Sequence, residues 1–278
     1  SPDKGLSAMT RPRVTDLLPA AIEAGDAILR FYAAGTPVET KEGGSPVTEA
    51  DRAAEAIILR HLRAIAPDIP VIAEEEAAAG RVPDTGGTFF LVDPLDGTKE
   101  FIRRNGEFTV NIALVVDHAP AWGIVTVPVT GEAFFGTVGE GAFAARLHGA
   151  AVAGERQIAV RAVPAEGPTV LASRSHRLAE TDAFIARVNA ADIISAGSSL
   201  KFCRIAAGEA DLYPRHGPTM EWDTAAGDAV LRAAGGVCTT FDGVPLAYGK
   251  RGRAGVADFL NPSFVAAGQP VDQRVLAG

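Results

Sequence analysis

Apolar and small residues recur every three to four positions through TDLLPAAIEAGDAILRFYAAG, residues 15–35. That period predicts a helix with Leu18, Ile22, Gly25, Leu29 and Tyr32 on its buried face. Thr15 is the expected cap, and Pro19 falls in the first turn, where a missing N–H is harmless. A Gly-Gly-Ser-Pro break follows at 43–46. TEADRAAEAIILRHL then predicts a second helix, capped by Thr48 with Asp51 three residues on, and ending near Ala64–Ala66 before Pro67. After that the period drops to two. PVIAEEE (70–76) and TFFLVD (88–93) read as strands ending on acids. EFTVNIALVV, AWGIVTVP and GEAFFGTV alternate or run apolar between turns, which predicts an antiparallel meander.

From about residue 155 the texture changes. TVLAS and DIISAG read as short buried strands, followed by helical stretches near 179–190 and 198–208. ADLYP reads as a strand, WDTAAGDAVLRAAGG as a helix and AGVADFLN as a late strand. Alternating strands and helices predict an α/β layer. The expected architecture is an α+β lobe over 9–153 packed on an α/β lobe over 154–278, with a cleft between them. Residues 1–8 precede Met9 and are set aside as a remnant of expression.

Composition narrows the functions open to such a fold. The 278 residues are 47% hydrophobic and 22% charged, with 26 basic and 34 acidic side chains and a net charge of −8. An acidic chain without a basic run is poorly suited to nucleic acid or to an anionic membrane. A small anionic substrate remains open if bound cations or a few Lys and Arg supply the charge. No stretch reaches the roughly 18 apolar residues of a spanning helix, and no signal-peptide pattern is present, so a cytoplasmic protein is expected. Cys203 and Cys238 are expected as reduced, buried thiols. The five histidines include no i,i+4 pair, which disfavours a histidine-rich zinc site. Trp122 and Trp222 are expected in the core.

LVDPLDGTKEF, residues 91–101, ends an apolar run on two aspartates with Pro94 between them. In a straight strand, positions i and i+3 face opposite ways; a proline and a turn can bring Asp93 and Asp96 to one point. An Asp-Pro, Asp-Gly turn, a metal cradle and a covalent nucleophile are all readings of this segment. The nucleophile reading fails on spacing. The D-x-D-G-T signature of haloacid-dehalogenase phosphatases would put the nucleophile at position 94, which is proline.

Further acids occur in AEEE (73–76) and EWDTAAGD (221–228). Taken singly, Glu74–Glu76 suit a solvated loop, and Asp223 suits the positive end of a helix. Converging carboxylates repel one another unless cations hold them. An oxygen-only ligand set favours Mg²⁺ or Mn²⁺ over zinc. Two such ions about 3.5–4 Å apart can activate water and stabilise a leaving oxygen in phosphoryl transfer. No GxxxxGK[ST], GxGxxG after a strand, or GxSxG is present.

DPLDGTKEF together with WDTAAGDAVLRAAGG resembles the inositol monophosphatase superfamily of Mg²⁺-dependent, lithium-sensitive phosphatases, over nearly the whole chain from residue 14. GSPVTEAD, TKEFIRRNGEFTVNIALV, SRSH, GSSLKFCRIAAGEADLYPR and EWDTAAG resemble its 3′(2′),5′-bisphosphate nucleotidase branch. The resemblance implies the layered αβαβα sandwich of the sugar and inositol phosphatases. It implies a first metal held by Glu74, Asp93 and the Leu95 carbonyl, and a second held by Asp93, Asp96 and Asp223. A weaker third ion would sit near Glu74 and Asp51. Glu74 is chosen over Glu75 because it directly follows the apolar VIA.

By the same resemblance Thr98 orients the attacking water, and Asp51 or Glu74 takes its proton, because a threonine hydroxyl alone is a poor base. Lys41 assists. Gly97 and Thr98 cradle the scissile phosphate. Ser175, His176, Gly197, Ser198, Ser199, Lys201, Arg215 and Asp223 meet the nucleotide, with His176 stacking on adenine and Lys201 and Arg215 taking the second phosphate. Helix capping is the plainer reading of Ser198, Ser199 and Asp51. The implied reaction converts adenosine 3′,5′-bisphosphate to AMP by metal-activated water, without a phosphoenzyme, and extends to the 5′-phosphosulfate analogue. Two Mg²⁺ with a weaker third are expected, Mn²⁺ substituting, and no obligate protein partner. An inositol or sugar monophosphatase is the alternative within the class. A non-catalytic nucleotide-binding sensor is the alternative outside it, and the intact acid set argues against it.

Overall fold

The computed structural model describes residues 11–34, 38–40, 46–172 and 178–277. Lys41, Ser175 and His176 lie outside them, as does the side chain of Thr48.

A short 3-10 turn, Val14–Leu17, leads into α1 (Leu18–Ala34). Thr15 is exposed and does not cap the helix. Arg13 stands at the cap position, and Asp16 reaches back from the first turn to accept its N–H at 2.9 Å. The buried face runs through Leu18, Ala21, Ile22, Gly25 and Ile28, and Leu29 and Tyr32 are only partly covered. β1 (Val38–Thr40) and β2 (Pro46–Thr48) pair antiparallel, and α2 (Glu49–Ile65) follows as its apolar period requires.

The seven-stranded sheet comes next. β3 (Val71–Ala73) runs directly into the short α3 (Glu74–Ala78). β4 (Thr88–Asp96) lies parallel to β3, and α4 (Thr98–Arg103) caps its far end. β5 (Thr109–Val116), β6 (Ala119–Val127), β7 (Glu132–Thr137), β8 (Gly141–His148) and β9 (Ala151–Ile158) complete an antiparallel meander in sequential order. β9 pairs with β8 through Ile158. A lobe boundary between 153 and 154 would therefore cut a paired strand, and we propose the division after Ile158 instead.

The second sheet has the order β11-β10-β12-β14-β13. Its elements are β10 (Thr169–Ala172), α5 (Ala179–Arg187), β11 (Asp192–Ser195), α6 (Leu200–Ala206), β12 (Leu212–Arg215), α7 (Glu221–Ala233), β13 (Val237–Thr240), β14 (Phe264–Ala267) and α8 (Gln273–Ala277). β10, β11 and β12 are parallel; β14 runs against β12 and β13. The late strand expected at AGVADFLN is instead a run of turns with Phe259 at φ 62°. Its apolar residues brace α7, since the Phe259 carbonyl accepts the Glu221 N–H at 2.8 Å. The strand itself begins at Phe264.

Strand alternation sorts the core into three layers of side chains. Phe90, Val92, Ile112 and Ile124 face α1 and α2. Phe89, Leu91, Ala113 and Val125 face the opposite way, onto α6, α7 and one face of the second sheet. Val170, Leu212 and Val265 meet α5 and α8 on its other face. The result is the expected αβαβα sandwich, with each large apolar side chain contributing roughly 1.5–3 kcal/mol by burial. Trp122 and Trp222 are both buried, and so are the free thiols of Cys203 and Cys238.

α7 rests on β5 and β6 at unusually close range. Gly123 and Gly136 are register partners across β6 and β7. A Cβ on Gly123 would collide with the Ala226 carbonyl, and one on Gly136 would come within 2.8 Å of the Ala233 methyl. These two glycines set the height of the helix that carries Asp223. Gly123→Ala is expected to destabilise the protein by about 1–3 kcal/mol, as overpacking does. A urea titration with an unchanged midpoint would show that the helix yields freely.

Candidate active site

β4 stops being a regular strand where its acids begin. Asp93 pairs with Asn111 and Asp96 with Thr109, so the register shifts between them and Pro94 and Leu95 leave the ladder. The Leu95 N–H turns back to Asp93 Oδ1 at 3.1 Å. Gly97 then adopts φ 95°, a left-handed conformation open to glycine. A Cβ there would also collide with Ser198 Oγ from the other lobe. The Asp-Pro turn thus brings Asp93 and Asp96 to one side and docks the lobes at the same point.

Asp93, Asp96 and Asp223 each offer a carboxylate oxygen, all within 4.8 Å of one another; Asp51, Glu74 and Glu75 form a second such group. Asp51 lies in the first turn of α2 and is fully buried. Burial pushes the Asp93 carboxyl well above the usual carboxylate range, and the charges of Glu74, Asp96, Asp223 and Asp51 push it further. Asp93 therefore feels both groups. Asp223 is raised to about 8 by burial and by Asp96 and Glu74, against hydrogen bonds with Met220 and Asp93. Glu74 is among the largest charges acting on both aspartates, and Glu75 joins Asp51 and Glu74 in the second group. Glu76 turns away to an ion pair with Arg81 at 2.8 Å.

Glu55 was not singled out from the sequence. It is one turn beyond Asp51 on the buried face of α2, and that spacing is the signal that could have found it. Its carboxylate accepts the N–H groups of Glu75 at 2.7 Å and Glu76 at 2.9 Å, which pins the turn that presents Glu74. Burial raises its pKa to about 7 despite those bonds.

The second lobe brings 196–201 against β4. Gly197 is buried, and a Cβ there would lie 2.7 Å from the Glu107 carbonyl. Ser198 has φ 50°, and its hydroxyl lies 2.8 Å from the Asp96 carbonyl and 2.9 Å from that of Glu107. Ser199 is 1% exposed, and its hydroxyl is engaged by Asp96, Asp223 and Asn111. It stands at the N-cap position of α6, but its side chain makes no capping bond and is turned instead to Asp96, Asp223 and Asn111, in a supporting position behind the acids. Lys201 is also buried, with its ammonium donating to the Ala196 and Ser198 carbonyls at 3.0 and 3.1 Å. Burial lowers its pKa to about 8; Asp96 opposes that shift and Arg215 reinforces it. Arg215, at the end of β12, donates to the Gly217 and Pro218 carbonyls and is half-buried. The two cations therefore neighbour each other beside Asp96.

These acids fit divalent cations: every donor is an oxygen, and burial leaves their mutual repulsion unscreened. Residues 12–269 match the inositol monophosphatase family. The chain belongs to that family. A CysQ 3′(2′),5′-bisphosphate nucleotidase of Salmonella typhimurium is 45% identical over 246 residues, covering 88% of this chain and 95% of its relative. The crystal structure of CysQ from Bacteroides thetaiotaomicron, itself described as a bacterial member of the inositol monophosphatase family, superposes with a TM-score of 0.75 at 37% identity. The match covers 92% of this chain and 97% of the other. An IMPase from Thermotoga maritima superposes at 0.72 with 25% identity, covering 93% and 92%. Family membership and the acid clusters together indicate use of divalent metal.

Asp93 and Asp223 hold protons more tightly in the folded chain than in the unfolded one, where Asp titrates near 3.8. A raised folded pKa favours the fold below the unfolded value and loses that contribution as pH rises through the folded value. Metal-stripped protein should therefore lose thermal stability from about pH 4 towards about pH 8. Excess Mg²⁺ should restore most at the alkaline end. Melting curves in chelator and in Mg²⁺ test this, and a gain from Mg²⁺ that does not grow with pH would contradict it.

Proposed function

We propose that this chain is a Mg²⁺-dependent 3′(2′),5′-bisphosphate nucleotidase, hydrolysing the 3′-phosphate of adenosine 3′,5′-bisphosphate to give AMP, with the 5′-phosphosulfate analogue as a second substrate. The observation that carries the reading is the pair of carboxylate groups joined through Asp93 and Glu74. The named relatives support the choice of a bisphosphorylated nucleotide. Glu74, Asp93 and the Leu95 carbonyl would hold one ion, and Asp93, Asp96 and Asp223 a second. Asp51 and Glu74 would serve a weaker third, and Mn²⁺ would substitute. When bound, these ions supply charge neutralisation at the phosphoryl oxygens and acidify water.

The remaining roles belong to the chain. The Thr98 hydroxyl, directly after the Gly97 turn, orients the attacking water, and Asp51 or Glu74 receives its proton. Gly97 and Thr98 present backbone N–H groups to the scissile phosphate. Gly197 and Ser198 shape the opposite wall with Asp223, and the family resemblance gives Ser175 and His176 the role of meeting the nucleoside. Lys201 and Arg215 supply positive charge for the second phosphate. Among the described residues no helix is long and apolar enough to cross a membrane; a cytoplasmic site of action is part of the proposal.

Phosphate release from adenosine 3′,5′-bisphosphate, inositol 1-phosphate and fructose 1,6-bisphosphate under Mg²⁺ tests the assignment. The nucleotide should give the highest kcat/KM. Preference for inositol 1-phosphate would move the chain to the monophosphatases, and binding without turnover would make it a sensor. Asp93→Asn should lower kcat by about 10²-fold or more, since it removes the charge shared by both groups. Arg215→Ala should raise KM for the bisphosphate about tenfold, the worth of a charge-assisted hydrogen bond. It should leave KM for adenosine 3′-monophosphate nearly unchanged. Equal effects on both would place the second phosphate elsewhere.

A further inference from the structure

Asn111 interrupts the apolar run of β5, is 1% exposed, and lies opposite Asp93 in the ladder. An amide buried at that position needs partners for both its ends. Its Oδ1 receives the Thr109 hydroxyl at 3.0 Å. Its Nδ2 donates to Ser199 Oγ at 2.8 Å and reaches Asp96 Oδ2 at 3.5 Å. Ser199 belongs to the other lobe, and having accepted from Asn111 it holds one proton to give. Both groups in reach of that proton are acceptors: Asp96 Oδ2 at 3.0 Å and the Asp223 carbonyl at 2.7 Å. The Ser199 N–H adds a further bond to Asp96 Oδ2 at 2.7 Å.

We propose that Asn111 is a positioning residue that sets the cation-binding geometry of Asp96 and Asp223 by orienting the Ser199 hydroxyl across the lobe seam. The proposal rests on the divalent-cation reading of the two acid groups. Its logic is directional. With the amide fixed by Thr109, the Ser199 lone pair faces β5 and its proton faces the ligands. Oδ2 of Asp96 is then committed to the seam, and Oδ1 is the oxygen left for a cation. Without Asn111 the hydroxyl can rotate away from Asp96 Oδ2, which then keeps the Ser199 N–H as its bond to the second lobe, and the ligand set loosens. Partners that orient metal ligands in this way typically matter by 10–100-fold in metal affinity.

The test is Mn²⁺ binding, followed by the loss of its free electron-paramagnetic-resonance signal, in wild type, Asn111→Ala, Ser199→Ala and the double variant. Melting temperatures without metal accompany each titration. Each single variant should weaken Mn²⁺ binding about tenfold or more. The double variant should be no weaker than the weaker single one, because the two residues act in series. The Mg²⁺ concentration for half-maximal phosphatase activity should rise in parallel, with KM for the nucleotide at saturating Mg²⁺ held. Wild-type Mn²⁺ affinity in a folded Asn111→Ala protein would overturn the proposal even if its melting temperature fell, and so would additive losses in the double variant. If Asn111→Ala does not fold, Asn111→Ser, which is polar but too short to reach Ser199, carries the same expectation and the same refutation. Failure of wild type to bind Mn²⁺ at all would instead remove the cation reading on which the relay stands.

Discussion

Repulsion between buried carboxylates is the constraint that the site must be built against. Asp93, Asp96 and Asp223 sit in one group, Asp51, Glu74 and Glu75 in another, and Asp93 feels members of both. Two like charges 4 Å apart cost about 4 kcal/mol at an effective dielectric of 20, comparable with the burial of a large apolar side chain. Left to themselves such groups would turn to solvent. Here the six come from four anchored points: the first turn of α2, the start of α3, the irregular end of β4 and the start of α7. The chain resists the repulsion with rigid backbone, so a cation meets oxygens already gathered.

The same constraint explains where the chain gives up side chains. Gly97 and Gly197 let the β4 turn and the second lobe approach one another, and Gly123 and Gly136 let α7 settle onto the sheet. Glu55 plays the complementary part with a side chain. It offers two acceptors to the backbone N–H groups of Glu75 and Glu76, so that the turn carrying Glu74 cannot swing outward. The apolar layers supply the stability that makes such positioning affordable, and their alternation along β4 and β5 fixes which way the acids point.

Periodicity revealed α1, α2 and the meander because each element buries its own stripe or face. It failed where a segment's apolar residues serve a neighbour. AGVADFLN reads as a strand, yet it folds as turns because Phe259 and Leu260 brace the start of α7. The candidate acids stood out only together: each one that ends a strand or opens a helix has an ordinary turn, capping or dipole use, and the family motifs are what joined them. Glu55 was marked only by its place one turn beyond Asp51 on the buried face of α2. Asn111 and the supporting role of Ser199 were not legible, because the two partners lie 88 residues apart and no local pattern announces a bond across lobes. Lys201 shows the converse. It was placed on the substrate's side by resemblance, and the fold adds a buried ammonium tied to two carbonyls, beside Asp96.

That lysine gives the acids unequal roles. Asp96 is raised by burial, but the Lys201 charge and the Ser199 bonds pull it back. The largest influences on Asp93 are burial and four neighbouring acids, which hold it well above the usual carboxylate range, and Asp223 is raised to about 8. With metal absent, burial and mutual repulsion favour the protonated forms of Asp93 and Asp223, while the Lys201 charge and the Ser199 bonds favour the carboxylate of Asp96. Cation binding must displace those protons, which couples metal affinity to pH. Asp93 and Asp223 can share a hydrogen bond when one of them is protonated. A divalent ion and a proton thus compete for one pair of oxygens, and the geometry held by the β4 turn, Ser199 and α7 suits either occupant.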